Sequence, residues 1–334
     1  MIDYTQLEYV DVKLTKIDDS KKSKFEDFIE LLKDKEGKNK AIISYRGTGF
    51  NNIKKELLKY SSDWIDEFCI YEKVFLIGQK SSFAKARKIN PHKREIYLHG
   101  INDCSKIVLD NLFTQLSNIC KEKRLEKKVE KNTSKEFKNY FLNQGNRLSF
   151  IDEIHSQEKE VKLFLRDYYL YFIHTSNIIK EDSILVSTST KISTARCFTS
   201  NCGDRKIIFH YFICEPYICH TFTPWKMKEF EKAIEEEMQI PLFDSKGLFP
   251  NQHEVAIKGG LFPHNIFGIE LVTKKKFIVN PHLFNDNNDL KKIFKYGQIS
   301  INQSNFDEDI KKTEYSDKIL KIDCSFDSKS ISEK

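Results

Sequence analysis

Arginine is scarce in this chain. Of 55 basic residues, only those at positions 46, 87, 94, 124, 147, 166, 196 and 205 are arginines. With many isoleucines and asparagines, this is the mark of AT-rich codon usage, so the abundance of lysine says little about partners. Each arginine says more, because lysine cannot copy a bidentate grip on phosphate or carboxylate. Long apolar runs are also missing. The most apolar stretch, Val161 to Ile173, carries Arg166 and Asp167 and is too short and too charged to span a bilayer. The N-terminus has neither a basic start nor an apolar core, which predicts no secretory signal and a cytoplasmic, soluble protein with no membrane partner. Injection by a secretion machine leaves no such mark, and that setting stays open. No repeat occurs at solenoid periods. The eight cysteines lack the tight pairs of a zinc ribbon. Cys197/Cys202 and Cys214/Cys219 are C-x4-C pairs near His210 and His220, yet their spread reads as reduced, buried thiols. No metal is expected.

What the chain does contain is apolar mass. It has 334 residues, 40% of them hydrophobic, including 26 Phe and 14 Tyr. That supports one large domain or two modest ones and excludes disorder along the whole length. Periodicity predicts helices over Ser23–Lys33, 52–68, a long span through Ile107–Ile119, and 158–173. The mixed-sign run Lys121–Lys131 reads as a solvated helix face or, as the alternative, a phosphate-binding surface. Strands are predicted at Ala41–Tyr45, Val74–Ile77, Glu95–His99, Ser183–Ser187, Lys206–Cys214, Glu254–Lys258 and 266–272. A helix capped by Thr223 and opened by Pro224 is expected to run to Met238, and the tail from about Asn285 is polar.

Three short motifs follow one another. Tyr45-Arg46-Gly47-Thr48-Gly49 ends a buried strand, and its glycines predict a turn. An arginine there needs an anion or an acceptor. Ser187-Thr188-Ser189 ends a second strand in three hydroxyls, with Ala195 and Phe198 beyond it. Gln252-His253-Glu254 opens a third; if extended, it points Gln252 and Glu254 the same way. Taken alone, these read as an ion pair, a Ser/Thr turn and a polar β-turn.

In this order they resemble the mono-ADP-ribosyltransferases of the R-S-E type, which carry Arg on a first core strand, Ser-Thr-Ser on a second and Gln/Glu-x-Glu on a later loop. The resemblance covers about residues 40–70 and 160–275. It implies an α+β fold: a split core of two packed, mainly antiparallel sheets, with flanking helices and a helical insertion. The corresponding organisation is an N-terminal helical segment (1–40), a core (41–70 and 158–280), an inserted lobe (71–157) and a polar extension (281–334). The roughly 140 residues between Arg46 and Ser187 are more than the family usually needs, so residues from about 71 to 157 look like an insertion or an elaborated helical lobe.

The same resemblance implies an enzyme that uses NAD as co-substrate, without a metal. Glu254 would stabilise the oxocarbenium-like ribose, held in place by Ser187. Arg46, with Tyr45, Gly47, Thr188 and Ser189 around it, would bind the dinucleotide. Gln252, where arginine-modifying members carry Glu, points to an Asn/Gln-type protein side chain or a base of RNA or DNA, since an amide both donates and accepts. The net charge of +6 leans slightly to nucleic acid. The setting implied is an intracellular toxin of a toxin–antitoxin or anti-phage system, with a possible antitoxin partner. The alternatives are a secreted effector acting on a host protein, an NAD glycohydrolase, and a non-catalytic nucleic-acid-binding protein.

Overall fold

The computed structural model describes residues 3–58, 66–77, 79–80, 104–176, 185–203, 205–214, 221–223, 234, 237–243, 250–258, 260–261 and 265–281. In chain order the elements are β1 (Glu8–Val10), α1 (Asp19–Gly37), β2 (Ala41–Gly49), α2 (Phe50–Leu58), α3 (Glu67–Ile77) and β3 (Gln79–Lys80). Next come α4 (Lys106–Lys121), α5 (Glu126–Asn132), α6 (Lys135–Leu142), α7 (Arg147–Ser156) and α8 (Lys159–Ser176). The chain then continues through β4 (Leu185–Ser189), α9 (Ile192–Phe198), β5 (Lys206–Cys214), β6 (Thr221–Phe222), β7 (Glu254–Lys258), β8 (Gly260–Leu261), β9 (Ile266–Leu271) and β10 (Lys276–Val279). The fold is α+β, and its elements fall into two compact units: 1–80, 186–221 and 260–334; and 81–185 with 222–259.

In the first unit the strands run β1-β10-β9-β5-β2-β4. All pairs are antiparallel except β1 with β10. β2 and β5 pair over their full lengths, Ala41 opposite Cys214 through Gly49 opposite Lys206. The glycines at 47 and 49 therefore lie inside a strand and not in the expected turn. Asp18 caps α1 by accepting from the Lys21 amide at 2.8 Å. The helix then lays Phe25, Phe28, Ile29 and Leu32 onto the sheet, where they join Tyr4, Tyr9, Ile43, Phe212, Phe267 and Phe277 in one core. These rings meet mostly edge-on or tilted; Tyr9 and Phe25, for example, lie 5.1 Å apart at 71°. Two predicted elements change. The expected strand Val74–Ile77 is the end of α3, where Tyr71 packs on Phe50 at 5.8 Å. The expected helix 52–68 is present as α2 and the start of α3, and residues 59–65 between them lie outside the described residues.

The second unit is helical around an aromatic core. Ser105 and Ser134 cap α4 and α6. α4 supplies Leu112, Phe113 and Leu116; Phe113 meets Phe141 and Phe150 at 5.4 and 5.6 Å. The mixed-sign run after Lys121 does not continue α4. Glu122 caps a short 3-10 turn, and α5 starts anew at Glu126. α8 is buried along nearly its whole C-terminal half, with Tyr168 stacked on Phe243 at 4.0 Å. The residues from Pro224 to Ala233, Glu95–His99 and the tail lie outside the described residues. Among the described residues, no helix is long and apolar enough to cross a membrane.

Candidate active site

Strand alternation puts neighbours on opposite faces of a sheet, and this separates Tyr45 from Arg46. Tyr45 points into the core, edge-on to His210 at 5.1 Å, and burial holds its phenol up at about 12. Arg46 is half-buried on the other face, where its Nη1 donates to the Ser187 carbonyl at 2.8 Å. The register seats Tyr45 opposite Ser189, so the arginine motif and the hydroxyl motif lie side by side. Among the described residues the Arg46 side chain makes no other hydrogen bond, so the rest of its donor fork is unused there. Thr188 and Ser189 are buried and Ser187 is half-buried. The Ser189 hydroxyl accepts from the Lys191 amide at 3.0 Å, a serine turn just before α9.

Gly47 is required here for space. A Cβ at that position would lie 1.8 Å from the Ala195 carbonyl oxygen and 2.7 Å from its carbon. Only a residue without a side chain lets α9 lie this close to the arginine strand.

Glu254 and Gln252 belong to the second unit. Pro250–Gln252 is a 3-10 turn, and His253 has φ of 45°, a left-handed conformation costly for a residue with a Cβ. The segment is therefore not extended before Glu254, and period-two geometry does not relate Gln252 to Glu254. Gln252 and His253 are half-buried, whereas Glu254 is only 5% exposed.

The carboxylate of Glu254 meets α8. The Tyr171 hydroxyl donates to Oε2 at 3.0 Å, and His174 Nε2 lies 3.8 Å from Oε1. Burial, reinforced by the charge of Glu254, holds the Tyr171 phenol far above its ordinary range, so it remains a donor. One helical turn before Tyr171, Asp167 accepts from Lys258 at 2.7 Å, with the Arg166 guanidinium 2.6 Å from its other oxygen. Residues 254 and 258 share a face of β7. The helix and the strand are thus joined at two points.

The first unit holds a second chain of polar groups, buried except for the exposed Arg196. Glu270 lies 3.2 Å from Arg196 and 3.3 Å from His210 Nε2, and the Tyr4 hydroxyl is 3.0 Å from His210 Nδ1. Burial depresses His210, and its contact with Glu270 only partly opposes this. Burial would raise Glu270, but the hydrogen bond from His210 and the charge of Arg196 hold it below its ordinary range. A neutral imidazole beside a carboxylate carries its proton on Nε2, so Tyr4 donates to Nδ1.

No known protein family, curated protein or solved structure matches this chain.

The structure brings Arg46, Gly47, Ser187 and Ser189 together in one unit. It sets Glu254 against Tyr171 and His174 in the other, with the Asp167–Lys258 pair one helical turn along, and sequence reasoning missed all four. The signal for the three on α8 was a set of polar residues at positions 167, 171 and 174, spaced by four and three in and just after the most apolar stretch of the chain. Among the described residues no cluster of three His, Cys, Asp or Glu side chains could hold a metal ion. Cys197 is exposed and Cys214 buried, while Cys219 lies outside the described residues.

Proposed function

We propose that the chain is an NAD-dependent mono-ADP-ribosyltransferase, with Glu254 the carboxylate that stabilises the reacting ribose. The observation that carries this reading is Glu254 itself. It is a buried glutamate at the head of a strand, directly after a strained polar turn, and its oxygen is held by a neutral phenol. A carboxylate fixed in this way suits a positive charge that develops during the reaction. The bond between nicotinamide and the ribose C1′ breaks, and its electron pair leaves with neutral nicotinamide. The ribose becomes oxocarbenium-like, as in glycoside hydrolysis. An acceptor nucleophile then bonds to C1′ and gives up its proton. Arg46, with donors left after its bond to the Ser187 carbonyl, suits the diphosphate. Gln252 suits an acceptor that both donates and accepts, either a protein amide or a nucleic-acid base. The reading carries with it the family's finer division of the sheet into two packed layers.

The test is incubation with NAD labelled in its adenylate half, together with whole-cell extract. Nicotinamide release and label transfer are expected, and Glu254→Ala should reduce both by about 100-fold. Digestion with protease or nuclease then shows which class of molecule carries the label. A wild-type protein that leaves NAD intact refutes the reading, and free ADP-ribose as the sole product makes water the acceptor.

A further inference from the structure

The resemblance gives the task of holding the catalytic glutamate to the serine of the second motif. The geometry points to a further holder, and we propose that Tyr171 is a positioning residue for Glu254. This rests on the reading of Glu254 given above. The hydroxyl of Tyr171 lies 3.0 Å from Oε2, and both side chains are buried, at 0% and 5% exposure. A carboxylate in such a place takes its orientation from its donors, because no bulk water competes for it. Tyr171 is itself fixed. Its ring packs on Phe222 at 5.2 Å, and its helix is tied to the glutamate's strand a second time through Asp167 and Lys258. The two ties lie one turn apart on α8 and two side-chain repeats apart on β7, which fixes how helix and strand register. The aim of the carboxylate is then set before any ligand arrives, which is the condition for electrostatic stabilisation without reorganisation. Tyr171 neither transfers a proton nor touches the reacting atoms. Its phenol stays protonated and acts through Glu254 alone.

The experiment compares two substitutions on one helix. Tyr171→Phe removes the hydroxyl that meets Glu254. Tyr168→Phe removes an equally buried hydroxyl that donates to the Phe243 carbonyl, one turn away. Nicotinamide release from NAD is measured for both, with melting temperature as the control on folding. For Tyr171→Phe, kcat should fall about tenfold or more, as expected for a lost hydrogen bond to a charged group. Its KM for NAD should stay within about twofold, and it should melt no lower than Tyr168→Phe, whose kcat should match wild type. Fluorotyrosine at position 171, which keeps both the shape and the donor, should retain near-wild-type kcat. It also serves if the Phe variant does not fold. An unchanged kcat in Tyr171→Phe, or an equal loss in Tyr168→Phe, overturns the proposal while the wild type remains active. A wild type that does not consume NAD overturns the reading of Glu254, and the proposal with it.

Discussion

Asp167 is the residue on which the join between α8 and β7 most depends, and replacing it tests that join directly. It lies between two buried cations, with Lys258 at 2.7 Å and Arg166 at 2.6 Å. Their side chains are 4% and 1% exposed, so neither can reach water. Asp167→Asn keeps the shape and removes the only acid of the trio. The two cations, then roughly 7 Å apart, repel by about 2 kcal/mol at an effective dielectric of about 20. Both also lose their counter-charge, and breaking a buried pair from one side costs about 3–5 kcal/mol in all. Lys258→Met should cost less, about 1–3 kcal/mol, because it leaves the Arg166–Asp167 pair whole. The decisive quantity is the double variant. Once Asp167 is gone, losing Lys258 relieves repulsion, so the two substitutions together should be less destabilising than their sum by about 2 kcal/mol or more. Urea unfolding followed by circular dichroism measures all four proteins. Independent sites add to within about 0.5 kcal/mol. Additivity at that level would mean that the trio does not act as a unit, and the second tie that aims Glu254 would be lost from the argument.

Gly47→Ala should destabilise by about 3 kcal/mol or more in the same assay, because the added carbon meets backbone of α9 and no rotamer change relieves it; wild-type stability would contradict the close approach. Arg46→Lys should raise the KM for NAD about tenfold with little change in melting temperature, since an ammonium replaces a planar fork; an unchanged KM would remove Arg46 from the dinucleotide site. Burial lowers His210 below its ordinary 6.5, so the unfolded chain takes up the proton first as pH falls. Stability should therefore decline below about pH 6.5 by up to roughly 1.4 kcal/mol per pH unit, and more steeply than in His210→Gln. Parallel unfolding curves across pH 7 to 5 would show that His210 is not held neutral.

The parts of this fold that could be read from the sequence are those governed by apolar periodicity. Ala41–Tyr45, Lys206–Cys214 and Glu254–Lys258 are strands because alternating or unbroken apolar runs need two faces to bury, and α1, α4 and α8 follow from helical spacing. Sequence reading failed where one residue type has two uses. Gly47 reads as a turn because glycine reaches positive φ at little cost, yet here it makes room for α9. Val74–Ile77 reads as a strand because a short run of Val, Phe, Leu and Ile fits either period; packing of Tyr71 on Phe50 decides for the helix. The left-handed residue before Glu254 is a histidine, so no glycine announced it. Arg46, Ser187 and Glu254 stand out as motif residues, whereas Tyr171 does not, because a tyrosine in an apolar helix is expected to be core.

Three buried acids can be compared by the groups set beside them. Asp167 lies between a lysine and an arginine, and Glu270 between an arginine and a histidine. In each case a basic side chain lies within ion-pair distance of the carboxylate, and removing it from one side would destabilise the fold. What α8 offers Glu254 is a phenol at 3.0 Å and an imidazole at 3.8 Å, neither of them a permanent cation. A phenol orients a carboxylate without cancelling its charge. Orientation with the charge retained suits a positive partner that develops in the transition state. Adding a cation should therefore be harmful: His174→Lys, placed to reach Glu254, should lower kcat for nicotinamide release more than His174→Gln does, while holding the fold at least as firmly. Equal kcat in the two variants would mean that the charge of Glu254 has no part in the reaction.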